Sequence, residues 1–155
     1  MRADFLRRAT PTPFTAELGL IGCTIRLETN NPAILDCIRG ALEKYGPASC
    51  AQSDFLWRLV SEPDNGCKGR WPEATGFSAE GLSLISFGQR SFVAIDADAR
   101  EAVGFIEDSF ARDGAQFESL FLSRLTALTA QALGLARAFA GSAAEDRETS
   151  PGKQP

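Results

Sequence analysis

The chain of 155 residues contains no histidine. That absence removes Ser–His–Asp and Cys–His nucleophile systems, histidine acid–base catalysis and every histidine metal site. A phosphate-binding loop is missing as well. The sole glycine–lysine pair, Gly152 and Lys153, lies in SPGKQP, where Gln154 stands in place of the required Ser or Thr and the earlier glycine is lacking. Basic charge is in deficit, with 16 Lys and Arg against 20 Asp and Glu and a net charge of -4. Nucleic-acid binders neutralise phosphates with clustered Lys and Arg, so a nucleic-acid role is disfavoured. No run approaches the roughly 18 to 20 apolar residues of a membrane span. The opening MRADFLRRATPTPF is basic but lacks the continuous apolar stretch of a secretory signal. The expectation is a soluble, cytoplasmic protein without membrane contact.

Cysteine is sparse and scattered. Cys23, Cys37, Cys50 and Cys67 are each more than ten residues from the next, and no CxxC pair exists. Without an export signal the expected state is reduced, with each thiol acting as a small apolar group. A four-thiolate zinc site stays formally open, although structural zinc sites draw ligands in close pairs. No cofactor is expected.

What is present suits one domain with a sizeable core: 44% hydrophobic and 23% charged residues in a chain of ordinary domain length. Residues 1–13, broken by Pro11 and Pro13, read as a flexible lead-in, residues 14–140 as a single α+β domain, and the apolar-poor residues 141–155 as a disordered tail. FTAELGLIGCTIRLET reads as two strands joined at Gly22, the second alternating Cys23, Ile25 and Leu27 with Thr24, Arg26 and Glu28. In NNPAILDCIRGALEKYGP, Asn31 is an N-cap, Pro32 opens a helix, Ile34, Cys37, Ile38, Ala41, Leu42 and Tyr45 share one face, and Gly46 stops it. Its charged face of Asp36, Arg39 and Glu43 is read as solvated rather than catalytic.

DFLWRLV reads as a central strand, and FSAEGLSLISFGQRSFVAID as a meander of three antiparallel strands. DADAREAVGFIEDSFARDG reads as a helix opening at Asp96 or Asp98 and closing at Gly114, and a longer helix is expected over residues 115–140. Together these predict an α+β fold: a mostly antiparallel sheet of about five to six strands packed against two or three helices, ending in a long carboxy-terminal helix. That last helix is apolar enough to leave an exposed patch and to support a dimer.

Two candidate sites stand out. The irregular loop SEPDNGCKGRWPEATG brings Lys68, Arg70 and Trp71 close in sequence, a set that can neutralise and stack on a ligand or anchor a protein partner. The plainer account is a basic turn with Trp71 folded onto the core edge. AIDADARE sets Asp96 and Asp98 beside Glu101, a spacing suited to a divalent cation or to a small carboxylate-based enzyme. There the plainer account is helix capping.

Four phrases, CTIRLETNNPAIL with its helix, FLWRLV, SFVAID and FESLFLSRLTALTAQALGL, resemble the amino-terminal region of HPr-kinase-like proteins over residues 14–135. These are bacterial relatives of HPr kinase/phosphorylase that carry a carboxy-terminal phosphate-loop kinase domain. In such proteins a His-Ala pair and a glycine-rich loop ending in Lys-Ser/Thr follow the long helix. Here ARAFAGSAAEDRETSPGKQP follows, so kinase activity is not carried over and no catalytic residue transfers. The resemblance implies an accessory domain, either a stand-alone gene product or part of a broken kinase. It would act without catalysis, by binding a protein or peptide partner, with a phosphate-loop kinase domain supplied in trans as the partner suggested. Contact would use the Trp71 loop or an open sheet edge.

Overall fold

The computed structural model describes residues 10–48, 52–63, 75–87 and 91–135. The first two strands, β1 (Phe14–Leu20) and β2 (Cys23–Thr29), form a hairpin around Ile21 and Gly22, whose φ angles are 47° and 78°. Two left-handed residues make the turn whose twist matches its strands. Glycine enters that region freely, whereas Ile21, being β-branched, is held there by the hairpin itself.

Helix α1 (Pro32–Leu42) begins as its residues demand. The Asn31 side chain accepts from the Ala33 N–H at 2.9 Å, and Pro32 occupies a position with no hydrogen bond to lose. Ile34, Leu35, Ile38 and Leu42 are buried on its inner face. The chain then returns as β3 (Phe55–Glu62), parallel to β2. A meander follows: β4 (Thr75–Ala79), β5 (Leu82–Phe87) and β6 (Ser91–Asp96), each antiparallel to the next, and β7 (Glu101–Glu107), antiparallel to β6. Strand β7 slots in beside β3, parallel to it, completing a seven-stranded sheet of order β1-β2-β3-β7-β6-β5-β4. The fold is α+β with a mostly antiparallel sheet.

One expected helix is instead a strand. Ala102, Val103, Ile106 and Phe110 match a helical stripe, but the segment also alternates: Ala102, Gly104 and Ile106 are buried while Val103 and Phe105 face the other way. Gly104 weakens a helix and Val103, Phe105 and Ile106 favour a strand, so the open slot beside β3 decides the outcome. Only Asp108–Arg112 (α2) is helical. Gly104 has a positive reason to be there, since a Cβ at that position would stand 2.9 Å from Leu59 Cδ2 and 3.2 Å from the Phe92 carbonyl.

The closing helix comprises α3 (Gly114–Gln116), a π-helical stretch (Phe117–Leu122) and α4 (Ser123–Ala132). It ends where Gly134, at φ 73°, turns the chain: the Gly134 N–H donates to Gln131 O and the Leu135 N–H to Ala130 O, which satisfies the last carbonyls. The expected helical run past residue 135 meets this stop, and residues 136–140 lie outside the described residues. Phe117 and Phe121 stack at 4.9 Å between centroids, with Phe110 edge-on to both, and Phe87 of β5 lies 5.3 Å from Phe121. Phe117, Phe121 and Leu125 are completely buried. The apolar stripe of this helix is therefore core, and the exposed patch expected on it is found elsewhere.

Candidate functional site

Side chains in a strand alternate faces, so the sheet's register sorts its residues into two sets. One set, including Leu18, Ile25, Leu27, Phe55, Trp57, Leu59, Val93 and Ile95, packs under α1, α2 and the closing helix. The other set faces away. Among the described residues no helix lies on that side. The pairing runs in one row across it: Glu28 beside Arg58, then Val103, Ala94, Leu84 and Phe77. Neighbouring rows add Leu56, Glu101, Asp96 and Leu82 below and Val60, Phe105 and Phe92 above.

This open face divides in two. Over β2 and β3 it is ionic and partly closed, with Thr24 and Val60 buried: Arg58 donates to Glu28 through Nε and Nη2 at 3.2 and 3.1 Å and reaches Glu101 at 3.4 Å, while Arg26 Nε lies 3.1 Å from Glu28. Over β4 to β7 it is apolar and wet. Phe77 is 67% exposed, Leu82 50% and Leu84 40%, the described large hydrophobic residues most open to water. Phe92 and Phe105 lie beside them with ring centroids 5.3 Å apart. Strand β4, at the sheet edge, is exposed at all five positions and carries no charge and no proline, the usual guards against strand addition.

The carboxylates singled out in the sequence are only partly brought together. Asp96 and Glu101 face each other across β6 and β7, but each is engaged: Asp96 Oδ1 accepts from the Ala99 N–H at 2.8 Å, and Glu101 pairs with Arg58. Asp98 sits in the intervening turn against Gly81. Among the described residues no group of three His, Cys, Asp or Glu side chains could hold a metal ion. Asp96 caps a turn between strands, where the sequence reading placed a helix. Lys68, Arg70 and Trp71 lie outside the described residues.

A polar hub, missed in the sequence, closes the far end of the parallel strands. Asn31 caps α1 with its oxygen and donates through Nδ2 to Asp108 Oδ1 at 2.9 Å. Asp108 also accepts from Ser61 Oγ at 3.2 Å and pairs with Arg112, while Asn30 exchanges two hydrogen bonds with the Ser61 backbone. The doubled Asn in NNP was the available signal. The hub ties β2, β3 and α2 together and every named group has a partner, so its role is structural. Among the described residues, neither Cys23 nor Cys37 is in a disulfide, and burial, aided by Glu118, pushes the Cys37 thiol above its ordinary pKa. That shift opposes nucleophilic reactivity.

Among the described residues no helix is long and apolar enough to cross a membrane. No protein-family model, curated protein or solved structure matches the chain.

Proposed function

We propose that this chain is a non-catalytic accessory module that binds a protein partner on the open face of its sheet. The observation that carries the reading is the wet apolar strip of Phe77, Leu82 and Leu84 beside an unguarded edge strand, on the side with no described helix. Water contact costs about 25 cal/mol for each Å² of apolar surface, so covering this strip is favourable, and contiguous exposed patches of this kind mark interaction sites. The absence of histidine points the same way, because it removes the commonest general acid–base group.

The resemblance to the amino-terminal region of HPr-kinase-like proteins suggests a phosphate-loop kinase subunit as the partner, with this chain bacterial and cytoplasmic. Affinity capture tests the reading when wild type is compared with a Phe77→Ser/Leu84→Gln variant. A partner held by wild type and lost by the variant supports it. A capture profile identical for the two overturns it, provided the variant's melting temperature is unchanged.

A further inference from the structure

The open face has dimensions and a sign of charge, and both constrain what can cover it; the argument rests on the reading just given and deepens it. From β7 to β4 the apolar strip is three strand spacings wide, about 14 Å, and from Glu101 to Glu107 along β7 it is about 20 Å long. One α-helix, about 10 Å across, fills that width, and about 13 residues of helix span that length.

Charge then separates the candidates. Among the described residues, register places Glu17, Glu28, Glu62, Asp96, Glu101 and Glu107 on this face, against Arg26 and Arg58. Both arginines already lie within 3.4 Å of a carboxylate. The helical segments on the other face are balanced, with Arg39, Lys44, Arg112 and Arg124 set against Asp36, Glu43, Asp108 and Glu118. The acidic excess of the described chain therefore sits largely on the side that carries no described helix. Asp96 and Glu101 stand at one end of the apolar strip, Glu107 at the other. A second copy laid face to face would bring the same excess against itself, and like charges across an interface are costly.

We propose that the open face binds a basic amphipathic helix of a protein partner, about 13 residues long, laid over Phe77, Leu84 and Val103 with Lys and Arg on its flanks reaching Asp96, Glu101 and Glu107. Such a helix would add the third layer that sheets with two apolar faces commonly carry.

The test is a display library of helical peptides about 18 residues long, with an apolar stripe fixed and its flanking positions drawn from Lys, Glu and Gln, selected on the full chain. The expected result is enrichment of positively charged peptides. A representative binds about tenfold more tightly than its Lys→Glu counterpart and loses about tenfold against Leu84→Gln. Enrichment of neutral or acidic peptides that still depend on Leu84 overturns the charge inference and leaves the face a protein-binding surface. No face-dependent binder of any charge overturns both. A concentration-dependent dimer that Leu84→Gln dissolves assigns the face to a second copy and overturns the basic-helix inference.

Discussion

The indole N–H of Trp57 donates to the hydroxyl of Thr129 across 3.0 Å, and both residues are completely buried. This bond joins the central strand to the closing helix, and it is a buried polar pair. Thr129→Val keeps the shape and strands the indole N–H. It is expected to cost about 1–3 kcal/mol, with Thr129→Ser costing less because the hydroxyl remains. Urea unfolding measures both, and equal losses for Val and Ser would show that packing, not the hydrogen bond, dominates.

Two glycines should respond in opposite directions. A Cβ on Gly19 would collide with the Gly46 carbonyl oxygen and stand 2.6 Å from the Pro47 carbonyl, backbone that cannot swing aside. Gly19→Ala is expected to destabilise by about 1–3 kcal/mol or more. Gly40 lies in α1 with open space around it, so Gly40→Ala is expected to stabilise by about 0.5–1 kcal/mol. Thermal unfolding of the two variants reads the difference in sign.

The ionic half of the open face should be salt-sensitive. Arg58 joins Glu28 and Glu101 with side chains 34%, 17% and 33% exposed, so the three charges are partly shielded from water. Arg58→Met is expected to cost about 1 kcal/mol at low salt, less as ionic strength rises. Arg39, paired with Asp36 at 3.7 Å on an open helix face, is the control: Arg39→Ala should change stability by less than about 0.5 kcal/mol.

The Cys37 thiol is held above its ordinary pKa first by burial and then by Glu118. A raised folded-state value means that the folded chain keeps its proton where the unfolded chain has lost it. The neutral thiol's contribution is whole below the ordinary thiol pKa, about 8.5, and is lost as pH climbs above it. Stability should fall on the alkaline side in wild type and fall less in Cys37→Ala. Thiol titration at pH 8 should find Cys37 slower than a free cysteine, and faster in Glu118→Gln.

Much of this architecture was legible in the residues. Asn31 and Pro32 fix the start of α1 by local hydrogen bonding alone, and the Ile21–Gly22 and Glu80–Gly81 turns mark their hairpins by spacing. Residues 99–110 misled because a stretch of Ala, Val, Ile and Phe satisfies two periodicities at once. Which period prevails depended on a vacancy beside Leu59, a partner more than forty residues away in the chain. The open face was hidden for a related reason. Phe77, Leu84 and Val103 are unremarkable strand residues until pairing sets them in one row, and exposure is a property of what fails to cover them.

The parallel pairing of β3 with β7 governs how the molecule must assemble in time. Leu56 meets Glu101 across a loop that contains the whole β4–β6 meander. The β1–β2 and β4–β5 hairpins close over two residues and can form within microseconds, whereas the central pair must wait until that long loop has been gathered. The middle of the sheet is thus the last part to zip, and its two halves spend the folding reaction as separate units with bare inner edges. Pulse-labelled amide exchange would show protection at Phe77 and Leu84 before Leu56, whose N–H donates to the Arg100 carbonyl at 3.0 Å across the seam, which makes the pairing of β3 with β7 the step on which productive folding competes with aggregation.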